Sequence, residues 1–363
     1  MINVIRQIFR IILSPTLIIL GLSVLGAIIG YIIAFIVGFI TSLILFYKHY
    51  LKFKFYNEFI NKSLLIDMLR YGLPLYLSNT LQSFLIIIRG IILAYFTTNF
   101  LIGNFNVAMN FTTLITIISS PIAIALFPAF SKLNKDNSKT LFIYSVKYTS
   151  AIIIPATIFV LIMSKDLIFL IYGESYTKAP LYLSIYSSIF LLSGFGSIVI
   201  GSFFNGIGDT KINFKSTLIY TCLFIPLALI LTKIFQIEGF LISIILATIA
   251  SVFYSLRIAY KKYNLEIDFN NSIKIYLTAF IASIPIIIIQ YLLLPRIVNI
   301  IISILLYIII YLTILPFMRI LNKEDIEYLV NIFIKIKIIR PIVKIISDYE
   351  IKIINFIDKN KLV

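Results

Sequence analysis

Arg89 is the single cation in FLIIIRGIILAYF, residues 84–96, a run otherwise fit for lipid. Removing a guanidinium from water is expensive, and no acid stands nearby in sequence to neutralise it. At about 100° per residue, Tyr71, Ser78, Gln82 and Arg89 fall within roughly 40° of one another on a helix, with Asn79 at the edge of the stripe. The other faces carry mostly Leu, Ile and Phe. A polar stripe that ends in a cation predicts a helix face turned to a bundle interior or an aqueous cavity, because lipid penalises it. Asn106 and Asn110, on the next apolar segment, extend the set. Together these residues describe a lining that is cationic and neutral-polar, which suits an anionic ligand better than a cationic one. Two plainer roles compete. Arg89 lies about 11 Å of helical rise from Phe96 and could snorkel to outer headgroups. It could also hydrogen-bond to Asn side chains or carbonyls of a neighbouring helix, and isolated Asn and Ser often act as such glue.

Other chemistries lack their residues. His49 is the only histidine and Cys222 the only cysteine, so a disulfide framework, a structural zinc site and a Ser-His-Asp triad are not expected within one chain. No Walker A loop is present. Asp166, Glu174 and Asp209 are isolated, which argues against a glycosyltransferase with paired acids at a sugar nucleotide. No cofactor and no metal site are predicted, and the chain is not read as an enzyme.

The elements that must position the stripe are membrane helices. Of 363 residues, 61% are hydrophobic and only 13% charged, and several apolar runs reach the length needed to cross a bilayer. The expected class is all-α, a polytopic bundle with about ten spans near 4–20, 22–47, 71–97, 105–131, 142–163, 180–204, 214–234, 239–259, 274–294 and 297–318. Residues 11–47 are too long for one crossing, and Pro15 with Gly21, Gly26 and Gly30 predicts a break, with a tight turn near Gly21. Gly26 and Gly30 also form a small-xxx-small pair that lets another helix approach. The start of the chain resembles a signal peptide but lacks a cleavage site, and is read as a retained span.

The net charge of +16 follows this topology rather than nucleic acid, which is not an expected partner. Twenty-five Lys and Arg fall on one set of alternating connections and four on the other. By the positive-inside rule both termini are cytoplasmic, in a multi-pass protein of the cell membrane. None of the fifteen acids lies in a predicted span, which counts against ion-coupled exchange. Lys147, one turn inside the fifth span, is expected to snorkel. The tail after Arg319 mixes cations and acids with Ile and Phe, and predicts two amphipathic pieces on the inner leaflet.

YGLPLYLSN (71–79), ISSPIAIALFPAFSKL (118–133), IYGESYTKAP (171–180), FFNGIGDTKINFK (203–215) and LNKEDIE (321–327) together resemble the polysaccharide flippases of the MOP superfamily, the Wzx-like branch. The resemblance implies two pseudosymmetric six-helix lobes, often with two further helices, that move isoprenoid-phosphate-linked oligosaccharides across the cytoplasmic membrane. On that plan residues 1–52 are the end of the first lobe, 53–263 the second, MATE/MOP-like lobe, 264–318 the two additional helices and 319–363 a basic cytoplasmic tail. About four N-terminal helices of the plan are missing. Membrane lipids and a lipid-linked oligosaccharide are the implied partners, with glycosyltransferases or a second chain supplying the missing helices as others. The family often has an acid near the position of Arg89, so that residue is read from its own physics. Two alternative functions stand beside a flippase: a non-transporting membrane scaffold for glycan assembly, and a MATE-type drug or cation exporter.

Overall fold

The computed structural model describes residues 2–50, 62–132, 135–292, 295–323, 325–327, 330 and 340–359. It divides into two compact units, 1–65 and 66–363. All regular structure among the described residues is helical. Seven helical stretches are long and apolar enough to cross a membrane, and up to eight if the bent pair Ala179–Phe195 and Val199–Gly206 counts as one. Two of the seven, Ile2–Lys48 and Thr210–Tyr263, contain a reversal. Ten crossings therefore stand as a proposal that requires both arms of each reversal to span.

In the first unit, α1 (Ile2–Leu17) and α2 (Ser23–Tyr50) form a hairpin. The chain reverses through Gly21 at φ 92° and Ser23 at φ 45°, ψ −129°, where a turn is expected. Pro15 does not break α1, which continues through it to Leu17. A Cβ on Gly26 would sit 2.8 Å from the Leu17 carbonyl, and one on Gly30 2.7 Å from Ser14 Cα. The small-residue pair thus admits α1 itself, backbone against backbone. Arg6 stacks over Phe35 and Arg10 over Tyr31.

The second unit is built from α3 (Lys62–Phe96), α4 (Asn99–Ser131), α5 (Lys135–Tyr172), α6 (Ala179–Ser187), α7 (Val199–Gly206), α8 (Thr210–Tyr263), α9 (Phe269–Ile289), α10 (Arg296–Phe317) and α11 (Arg340–Lys359). A tight 3-10 turn carries α6 on to Phe195, and Gly196 at φ 76° redirects the chain into α7. Inside α8 the chain reverses at Gln236, φ 52° and ψ −130°. Ser216 of one arm then donates to the Ser251 carbonyl of the other at 3.1 Å. Any Cβ on Gly239 would collide with the Leu231 carbonyl. Both hairpins therefore share one device: a residue near φ 50°, ψ −130°, followed three positions later by a glycine pressed on the incoming arm.

Three apolar clusters hold this unit. Leu85, Phe111, Ile153, Tyr182, Phe224 and Phe240 centre the first. Met163, Ile275, Ala282, Tyr307 and Tyr311 join α5 to α9 and α10, and Phe130, Phe142, Phe203 and Phe204 close the end where α7 meets α4 and α5. Large side chains such as Ile86, Ile124, Phe253 and Phe280 stay exposed. That much apolar surface in contact with solvent would aggregate, so it marks faces made for lipid.

Of the two amphipathic pieces expected in the tail, the first lies largely outside the described residues. The second is α11, which packs on α10, with Tyr349 and Thr313 sharing a hydroxyl hydrogen bond of 2.6 Å.

Candidate functional site

Arg89 points from α3 to the first arm of α8. Its Nη2 donates to the Tyr220 hydroxyl at 2.6 Å, and its Cζ lies 5.2 Å from the Phe224 ring centroid and 5.8 Å from that of Tyr220. Tyr220 and Phe224, one turn apart, stack nearly parallel at 5.6 Å and make a flat bed for the guanidinium. Nε of Arg89 is buried and has no partner. Arg89 is thus held at Nη2 and keeps an unused donor at Nε.

Next to it is a cavity of about 340 Å³, lined by Gln82, Leu85, Ile86 and Arg89 of α3 and by Ser216, Thr217, Tyr220 and Ser251 of α8. Arg89 is the one ionised group among these residues. The three aliphatic hydroxyls are tied into the hairpin: Ser216 donates to the Ser251 carbonyl, Ser251 to the Thr248 carbonyl and Thr217 to the Asn213 carbonyl. Ser216 Oγ already accepts from Ser255 at 3.0 Å, and the oxygens of Thr217 and Ser251 remain able to accept. The arrangement offers fixed positive charge beside neutral polar walls, which is what an anion with a polar body requires.

Of the seven residues singled out in the sequence, Gln82 and Arg89 line this cavity, and the other five do not. Ser78 is buried and donates to the Pro74 carbonyl of its own helix at 2.8 Å. Tyr71 donates to the Asn205 carbonyl at 3.2 Å and accepts at its own carbonyl from Thr210 at 2.8 Å, so it joins α3 to the 205–210 loop. Asn79, Asn106 and Asn110 are exposed. Ser78 and Tyr71 lie about three and five turns along α3 from Arg89, beyond the reach of its cavity. Neither Arg89 snorkelling nor an Asn partner for it is seen, because the aromatic pair on α8 captures the guanidinium.

Asn104 was not separated from its neighbours by sequence. It is buried, and its Oδ1 accepts from the backbone N–H groups of Lys178 and Ala179, both at 3.0 Å, capping α6. Lys147 does not snorkel either. Its Nζ meets Asp325 Oδ2 at 2.6 Å with both side chains nearly buried, and Tyr148 donates to Oδ1 at 2.5 Å. Burial pushes the Asp325 carboxyl up, but the hydrogen bonds from Lys147, Tyr148 and the Asn322 N–H outweigh it and hold the pKa lowered.

The other quoted motifs join elements through more exposed ion pairs and one close approach. Asp209 pairs with Lys262 and accepts from Tyr263 at 2.7 Å, and Glu174 pairs with Arg296. Gly206 lets α7 close on Phe127 and Phe130 of α4.

A family profile described as polysaccharide biosynthesis protein matches residues 1–134. No curated protein sequence matches the chain. Among solved structures, the lipid II flippase MurJ in its inward closed conformation is similar over 86% of this chain and 66% of its own, at 18% identity and TM-score 0.65. A MATE protein in the bent conformation is similar over 72% of this chain and 61% of its own, at 18% identity and TM-score 0.59. The chain spans less than two thirds of the length of either structure. It has a MurJ/MATE-like fold and is a multi-pass membrane protein.

Proposed function

We propose that the chain moves a lipid-linked oligosaccharide of the isoprenoid-phosphate type across the cytoplasmic membrane, with both termini cytoplasmic, in the synthesis of a surface polysaccharide or glycoprotein. The observation that carries this reading is Arg89: a guanidinium bedded on Tyr220 and Phe224, beside a polar cavity whose lining has no acid. A phosphate would satisfy its unused donor. Gln82 and the hairpin hydroxyls are placed to meet sugar hydroxyls. The match of residues 1–134 to polysaccharide biosynthesis proteins supports the same substrate class. A cation exporter would be expected to place carboxylates at membrane depth, and the lining of this cavity has none.

The test is reconstitution of the full chain in liposomes with a fluorescent isoprenoid-pyrophosphate oligosaccharide, read by quenching from outside. Protein-dependent loss of protected label is expected. Label that stays in its leaflet, while the protein is shown to be folded and inserted, would overturn a self-sufficient flippase.

A further inference from the structure

Glu350 of α11 is 2% exposed, and neither carboxylate oxygen has a hydrogen-bond partner. It lines a second cavity, of about 280 Å³ and partly open, with Tyr148, Ala151 and Ile152 of α5, Tyr311, Leu312 and Leu315 of α10, Leu321, Ile326 and Val330 of the following segment, and Ile346 and Ser347 of α11 itself. This cavity is separate from the one at Arg89 and shares no lining residue with it.

Every hydroxyl in the wall gives its proton elsewhere. Tyr311 donates to the Ala151 carbonyl at 2.8 Å, Tyr148 to Asp325, and Ser347 to the Lys344 carbonyl at 2.9 Å. The nearby ammonium, Lys147, is held by Asp325. The rest of the wall is aliphatic. A carboxylate so placed has up to four acceptor positions and no donor among the described residues to fill them, and an unpaired buried acceptor is costly. Burial pushes its pKa up to about 7.

We propose that this cavity is a binding site for a small amphiphilic cation, a primary ammonium on an apolar body, with Glu350 as its counter-ion. The ammonium supplies three donors where the described residues supply none, and the body replaces solvent along Ile152, Leu312, Leu315 and Ile346. Ligand cavities run from about 300 Å³ upward, so the occupant is small, of the order of an alkylamine of six to eight carbons. An anion or a bare sugar finds no donor here, which distinguishes this site from the one at Arg89.

Hexylammonium is the probe, titrated into the purified full chain in detergent micelles, with hexanol and hexanoate as equally apolar controls and binding followed by calorimetry. Saturable binding of one hexylammonium per chain is expected, with hexanol and hexanoate at least about tenfold weaker. Glu350→Gln is expected to bring hexylammonium down to the level of hexanol. Equal binding of amine and alcohol by the unaltered chain overturns the proposal without reliance on any variant. Undiminished amine binding by a folded Glu350→Gln protein overturns it as well.

Discussion

Arg89 and Tyr220 stand 131 residues apart in the chain and share a hydrogen bond of 2.6 Å, while the ring of Tyr220 stacks on Phe224 beneath the same guanidinium. The pair joins α3 to the first arm of α8 and fixes the direction in which Arg89 offers its remaining N–H groups. Arg89→Leu loses this hydrogen bond, so it should cost about 1 kcal/mol of stability while leaving the protein folded and inserted, and weaken the anion by about 2 kcal/mol, roughly thirtyfold. Tyr220→Phe keeps the aromatic bed and removes one bond, so it should cost about 1 kcal/mol of stability and leave transport largely intact. Transport in liposomes and thermal unfolding, measured on the same preparations, separate the two effects. Full transport by Arg89→Leu would return the residue to packing.

The local part of this fold is readable in sequence. Apolar run lengths mark the helices, and Gly21 marks the first reversal because only a few residues adopt positive φ without strain. The second reversal was expected between spans, but its turn residue, Gln236, carries no local signal of that kind. The site was half legible. Spacing on one helix brought out Arg89 and Gln82, but its partner Tyr220 and the hydroxyls of Ser216 and Ser251 belong to another element more than 120 residues away. Periodicity says which face a residue occupies, and it does not say what comes to meet that face. The same limit hid Lys147 and Asp325, 178 residues apart.

Lys147 and Asp325 make a buried pair, with side chains 9% and 8% exposed. Removing one partner strands the other charge, so Asp325→Ala should destabilise the protein by about 3–5 kcal/mol. Lys147→Met combined with Asp325→Leu should recover most of that loss, because two buried charges are then exchanged for apolar contacts. Thermal unfolding of Asp325→Leu, Lys147→Met, the double variant and the unaltered chain forms a double-mutant cycle. A double variant no more stable than Asp325→Ala would show that the pair itself, rather than its neutrality, holds the segment.

Gln236 and Gly239 set the reversal of α8. Gln236 occupies φ 52°, ψ −130°, a conformation that favours glycine, and Gln236→Gly should be neutral or stabilising by about 1 kcal/mol. Gly239→Ala should instead cost about 1–3 kcal/mol, since the new Cβ meets the Leu231 carbonyl. Opposite signs in chemical or thermal unfolding check the assignment, and a stable Gly239→Ala protein would mean that the arms can part there without loss.

Glu350 makes the docking of α11 depend on pH, and the sign follows from which state holds the proton. With α11 docked, the carboxyl has its pKa raised by burial from 4.5 to about 7. Released into water it returns to the ordinary value. Below about pH 4.5 both states are protonated and pH has no effect. Between 4.5 and 7 the docked state holds the extra proton, so docking weakens as pH rises, by at most about 1.4 kcal/mol per unit and about 3 kcal/mol in all. Above 7 the dependence flattens. The groups that face Glu350 do not mask this window. Tyr148 and Tyr311 are phenols, and Asp325 is held below its ordinary value by Lys147. Hydrogen exchange of the α11 amides, corrected for the intrinsic rate, should therefore show protection at pH 5 that falls by pH 7.5. Glu350→Gln, neutral throughout, should hold its protection across the range. A profile that is flat in the unaltered chain, or equally steep in Glu350→Gln, would place the titrating group elsewhere.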